Sequence, residues 1–177
     1  MAETVIVVEG DSDRVAVEVI AARLGVTIPR VVVLGGAHGA RRVRAALPGV
    51  RLLGLVDVRE RVLFDGEVDA IFVCDPDLEG ELVRAVGVDA VLEVIAAEGE
   101  LLSFHRLQQQ PAQRDLPLER HLARFFSGRS GNKHRYAALL AEAVPLDRIP
   151  APLAALVAAA AGSPDDRETT TGCREHG

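Results

Sequence analysis

The chain has no tryptophan, one tyrosine and five phenylalanines among its 177 residues. So few rings leave stacking platforms for single strands sparse. Its two cysteines, Cys74 and Cys173, stand 99 positions apart. They form no zinc pattern and read as free thiols of a reducing cytosol. Long apolar runs are also missing. Val5–Val8 is too short for a signal peptide, and the most apolar stretch, Ala151–Ala161, is about half a membrane span. A cytoplasmic location with no membrane partner is therefore expected. Nucleotide-binding loops are absent as well. Lys133 follows Asn132 and precedes His134, which is not a phosphate-loop lysine, and LGGAHGA (Leu34–Ala40) lacks dinucleotide-binder spacing. No Ser/His/Asp or Cys/His arrangement can be proposed. Lysine itself is scarce, with Lys133 alone against nineteen arginines.

What is present is a chain 49% hydrophobic, enough for one domain with a sizeable core. The net charge of −6 argues against a general nucleic-acid coat protein, and its distribution is uneven. Residues 1–100 carry ten arginines against eighteen acids, leaving −8, whereas residues 101–150 carry +4. An acidic half followed by a basic half suits a metal site facing a phosphate-binding surface, although solvated faces on both halves would give the same balance.

Four short apolar runs, Val5–Val8, Val31–Leu34, Leu52–Val56 and Ala70–Cys74, scarcely alternate. Strands covered on both faces of a parallel sheet require that composition. An amphipathic segment at Ser12–Leu24, which Asp11 or Ser12 can cap and Gly25 can stop, and a second helix at Ala37–Leu47 separate the first three runs. The β-α-β-α-β order predicts an α/β fold with right-handed crossovers. Residues 57–69 read as a polar loop. Helical patterns follow at Leu78–Val86, Asp89–Glu98, Leu118–Phe126, Lys133–Val144 and Pro152–Ala161. The expected organisation is an α/β core over residues 1–100, a helical extension over 101–162 packed on it, and a disordered tail over 163–177.

Acids follow three of the four strands. The first runs into Glu9-Gly10-Asp11-Ser12-Asp13, the third into Asp57, and the fourth into Asp75-Pro76-Asp77-Leu78-Glu79-Gly80-Glu81. The second ends at Gly35-Gly36, where backbone can approach a ligand closely, with His38 beside it as a candidate phosphate contact. In an open parallel sheet these strand ends share one rim. Singly, Asp11, Asp13 or Asp75 reads as a helix cap, Asp57 as a turn residue or a ligand, and Glu81 as a solvated residue. Glu9 resists that reading, because glutamate is a poor cap. Together, crowded carboxylates raise each other's pKa, and a hard divalent cation relieves them: Mg²⁺ first, Mn²⁺ or Ca²⁺ next. His105, His121 and His134 read as surface residues, and Phe125 and Phe126 as core.

VIVVEGDSDRVAVEVIAARLG (residues 5–25) resembles the opening motif of TOPRIM domains: a strand ending in Glu-Gly, an Asp four residues on, then a helix. Val56–Glu60 sits where that family has Asp-x-Asp. Phe72–Gly87 resembles the Asp-Leu-Glu segment of OLD-family nucleases, and the likeness continues through Ser103–Gln113 and Gly131–Val144. It covers roughly residues 4–160 and is greatest to compact, stand-alone TOPRIM nucleotidyl transferase/hydrolase domain proteins. The resemblance implies a four-stranded parallel sheet flanked by helices, with one or two Mg²⁺ (or Mn²⁺) ions. It implies Glu9 as metal ligand and general base, and Asp13, Asp57, Asp77 and Glu79 as further ligands. It makes Lys133 the catalytic contact to the scissile phosphate. Two departures stand out: Arg59 replaces the second aspartate, so Glu60, Asp75 or water must complete that site or metal affinity is reduced, and the ATPase half of full OLD proteins is absent.

Three functions are therefore expected to compete. One is metal-dependent nucleic-acid phosphodiester hydrolysis. Another is nucleotidyl or phosphoryl transfer at the same metals, and the third is a non-catalytic module acting through a partner. Nucleic acid, DNA ahead of RNA, is the expected substrate. A homodimer and a partner protein supplying an ATPase both stay open.

Overall fold

In the computed structural model, which describes residues 3–36, 38–128 and 131–162, the four apolar runs form strands. They are β1 (Thr4–Val8), β2 (Val31–Val33), β3 (Arg51–Asp57) and β4 (Ala70–Cys74). All pairings are parallel, in the order β2-β1-β3-β4. Val8 lies opposite Leu55 and Asp57 opposite Cys74, so Glu9, Asp57 and Asp75 leave the sheet almost level with one another.

Both faces of the sheet are covered, which is why its strands do not alternate. Ile6, Val8, Leu53 and Leu55 join the larger apolar cluster. Ala16, Val17 and Ile20 of α1 (Asp11–Arg23) and Leu153, Leu156 and Val157 of α8 (Ala151–Ala161) complete it on that face. Val5, Val7, Leu52 and Val56 turn the other way, onto Ala40 and Val43 of α2 (Gly39–Ala46) and onto Phe64. Each such side chain taken wholly from water contributes about 1.5–3 kcal/mol. Gly54 sits mid-strand because Phe64 occupies the space above it: a Cβ there would lie 3.0 Å from the ring.

The start of α1 differs from expectation. Gly10, not Asp11 or Ser12, holds the capping position in extended backbone. Its N–H donates to Asp13 Oδ2 at 2.8 Å, a reach back from the third helical residue that satisfies an otherwise orphan donor. Gly25, at φ +67°, follows the end of the helix, as expected. Residues 57–69 contain a single 3₁₀ turn at Arg61–Leu63.

After β4 come α3 (Leu78–Val86), α4 (Val88–Ala97), α5 (Leu101–Gln108), α6 (Leu118–Ser127) and α7 (Asn132–Ala143). A 3₁₀ turn at Leu146–Arg148 leads into α8. Helix α5 has no counterpart in the sequence reading. It buries only Phe104, Leu102 faces solvent, and no side chain caps it, so its apolar stripe is too weak to see.

Helix α7 lies along α1 and touches α3, α4 and α6. Arg23 on α1 donates to the Ala141 carbonyl at 2.6 Å. Arg135 pairs with Glu98 at 3.0 Å and Glu100 at 2.7 Å, and the Tyr136 hydroxyl donates to Glu100 at 2.7 Å. Phe104, Phe125, Phe126 and Tyr136 pack edge-on or tilted around these ties. His121 corrects the surface reading: it is buried on α6. Its Nε2 donates to the Gln113 carbonyl at 2.7 Å, and its Nδ1 accepts from the Gln108 amide at 3.4 Å. Both ring nitrogens thus find partners inside. Cys74 is a buried free thiol; Cys173 and the whole of residues 163–177 lie outside the described residues.

Candidate metal centre

Parallel pairing delivers the post-strand acids to one rim, and local backbone bonds decide which of them face one another. Glu9 directly follows β1, half-buried. Asp13, one turn into α1, is held by the Gly10 N–H. Asp57 ends β3, and its Oδ1 accepts from the Leu78 N–H at the start of α3, at 3.2 Å. Asp77 caps α3 by accepting from the Gly80 N–H at 2.8 Å. Glu79, in the first turn of the same helix, is only 7% exposed. Capping and convergence are thus not alternatives for Asp13 and Asp77; the cap bond aims the carboxylate.

The acids feel each other strongly. Glu9 is pushed up to about 8, first by burial, then by a hydrogen bond and repulsion from Glu60, then by Asp57 and Asp13. Asp57 rises to about 7 through burial and the charges of Asp13, Asp77 and Glu79. Burial also raises Asp13 and Glu79, partly offset by Lys133. Lys133, from the first turn of α7, places Nζ 3.3 Å from Glu79 Oε1. Burial disfavours its charge, yet Glu79, Asp13 and Asp57 together hold it protonated more firmly than usual. The contact is an ion pair without hydrogen-bond geometry, so buried Glu79 Oε1 accepts no hydrogen bond.

The other acids take ordinary roles. Asp11 is exposed and pairs with Arg14 at 2.9 Å. Glu81 accepts from the Asp75 N–H and pairs with Arg84, which also donates to the Asp75 carbonyl. Gly35 and Gly36 form an exposed turn after β2, both at positive φ, with exposed His38 at the entry to α2. They share the rim by topology, but no hydrogen bond or ion pair among the described residues joins them to the acids. Glu60 belongs with Glu9, a partnership that its place in a loop does not announce. The sequence reading missed Arg120 of α6 altogether; it lines a cleft beside these acids, together with Arg59. Nothing in the spacing of residues 118–127 signals that α6 lies against α3.

The donor set suits a hard cation: five carboxylates, all oxygen, the buried Glu79 among them. Burial first, and mutual repulsion after it, lift two of them to about 7 and 8, and a dication removes the repulsive part. Among the described residues, however, no three Asp, Glu, His or Cys side chains already stand in metal-holding geometry. The chemistry of the donors fits; the carboxylates must close in to use it.

Two solved structures share this architecture. The C-terminal region of the Burkholderia pseudomallei OLD protein matches with a TM-score of 0.64 and 20% identity, over 89% of this chain and 96% of that one. The C-terminal region of the Xanthomonas campestris pv. campestris OLD protein matches with a TM-score of 0.61 and 26% identity, over 90% and 92%. No family model and no curated protein matches the sequence. The α/β fold is that of the OLD C-terminal (TOPRIM) region, as the sequence resemblance implied. No helix among the described residues is long and apolar enough to cross a membrane.

Proposed function

We propose that this chain, built on the fold of the OLD C-terminal region, hydrolyses phosphodiester bonds in nucleic acid with Mg²⁺ or Mn²⁺. One observation carries the reading: carboxylates from three strand ends meet on one rim and raise each other's pKa, with Lys133 against Glu79 at 3.3 Å. Buried, charge-crowded carboxylates beside a single ammonium are the kind of arrangement that functional sites use.

Glu9, Asp13, Asp57, Asp77 and Glu79 are the residues that would hold the cation. When bound, a divalent ion supplies Lewis-acid stabilisation of phosphate charge and a more acidic water. Glu9, with the Glu60 carboxyl against it, is able to keep or release a proton near neutral pH. Lys133 brings a compact positive charge to the edge of the site, suited to one phosphate oxygen. Gly35, Gly36 and His38 offer backbone and ring donors to a more distant phosphate on the same rim. DNA is the first substrate to test, RNA the second.

The test is cleavage of labelled DNA and RNA with Mg²⁺, with Mn²⁺ and with EDTA. Cleavage that requires metal and is lost in Glu9→Gln supports the reading. No cleavage of either polymer with either ion removes it. A non-catalytic metal-binding module acting through a partner is then favoured by Arg59, which replaces an acid of the Asp-x-Asp pattern and lines the site's edge.

A further inference from the structure

Beside the acids, between α3 and α6, opens a cleft of about 600 Å³. That lies within the roughly 300–1,000 Å³ typical of concave ligand sites. Its lining is mixed: Asp57, Asp77 and Glu79 of the candidate centre share it with the apolar side chains of Val83, Pro117 and Ala123. A metal site acting on a smooth backbone needs no apolar recess, so the recess calls for an occupant with an apolar face.

Two arginines narrow the choice. Arg59 and Arg120 both line the cleft, both are exposed, and neither forms an ion pair among the described residues, although acids stand close by. Arg84, on the same cleft, is engaged by Glu81 and the Asp75 carbonyl. Two free guanidinium groups, an apolar wall and a rim of carboxylates suited to a cation together match one kind of molecule: a nucleotide with its base in the recess and phosphates outside.

The geometry points to this cleft as the seat of one unstacked nucleotide next to the scissile phosphate, with Arg59 and Arg120 holding the phosphates that flank it. The inference rests on the nuclease reading for the identity of the rim, and it refines the substrate to strands that present an unpaired nucleotide. A closed duplex keeps its bases stacked and fills the recess only by extruding one. Arg59 then takes a new role: it removes a metal ligand and adds a substrate contact. The scarcity of aromatic residues is no obstacle, because one recess replaces an extended platform.

The test is fluorescence anisotropy with a labelled single-stranded oligonucleotide and the same sequence as a blunt duplex. Ca²⁺ replaces Mg²⁺, so binding is read apart from turnover. The single strand should bind about tenfold tighter, the scale of one base contact. Ala123→Trp, whose ring would fill the recess from an exposed helix position, should abolish that preference at unchanged melting temperature. Arg59→Ala and Arg120→Ala should each weaken single-strand binding about fivefold and flatten its salt dependence. Equal affinity for duplex and single strand, or an Ala123→Trp protein that still prefers the single strand, overturns the inference. The two proposals fail separately. Intact single-strand preference with no cleavage under any ion sinks only the nuclease reading, whereas metal-dependent cleavage indifferent to Ala123→Trp sinks only this one.

Discussion

Asp57→Asn should make the metal-free protein more stable while weakening its metal response. Asp57 ends β3 half-buried, its pKa lifted from 3.8 to about 7 by burial and by Asp13, Asp77 and Glu79. A tenfold change in proton affinity corresponds to about 1.4 kcal/mol, so a rise of this size would approach about 4 kcal/mol in a dry site. Solvent reaches part of this carboxyl, and screening reduces the effect to about 1–2 kcal/mol. The sign follows from linkage. A carboxyl whose folded pKa is raised contributes stability below its unfolded pKa and loses it as pH rises through the folded value. The wild-type penalty is therefore complete by about pH 8 and fades as pH falls toward 4. Asparagine keeps an oxygen for the Leu78 N–H, so the substitution removes charge with little loss of bonding. Thermal melts in EDTA at pH 8 should place the variant about 3–6 °C above wild type, with the gap shrinking at lower pH. Adding Mn²⁺ should reverse the order, because only the wild type keeps that ligand. A variant melting below wild type in EDTA at pH 8, or responding equally to Mn²⁺, would refute the argument that these acids share one charge-crowded site.

Lys133→Ala should lower cleavage by about two to three decades, with Lys133→Arg rescuing poorly and metal binding nearly unchanged. Because Lys133 is the partner of buried Glu79, the same variant should lose about 1 kcal/mol in a urea titration, recovered by Mn²⁺; full activity would make Lys133 a surface residue only. Mn²⁺ should bind better than Mg²⁺, since the donors are not pre-assembled and Arg59 adds positive charge; micromolar Mg²⁺ affinity by calorimetry would contradict this. Arg59→Asp should strengthen Mg²⁺ binding, and no gain would place that side chain outside the site. Gly54→Val should lose about 1–3 kcal/mol in denaturant unfolding, because Phe64 already fills the space a side chain would need.

Strand positions were legible because burial on both faces writes an unbroken apolar run, and β4 begins and ends where that run does. The acid set was legible because parallel strands share their carboxyl ends, so sequence position after a strand already specifies a place on the rim. Glu60 was foreseen only as one of several completions. Its approach to Glu9 depends on how a turn-rich loop folds after β3, and such a loop carries no periodicity. His121 was misread because a histidine looks polar until Gln108 and Gln113 are brought around it. Helix α5 escaped because one buried phenylalanine makes no stripe.

By itself, the sequence determined the parallel α/β sheet and the rim on which Glu9, Asp57 and Asp77 fall. Those properties follow from local hydropathy and chain direction, which are readable residue by residue. Only the tertiary structure decided that α7 brings Lys133 to Glu79, that Glu60 joins Glu9, and that α6 sets Arg120 and an apolar wall beside the acids. These depend on the angles and offsets at which helices far apart in the chain settle on α1 and α3. Buried side-chain shape selects such packing, and no single segment encodes it.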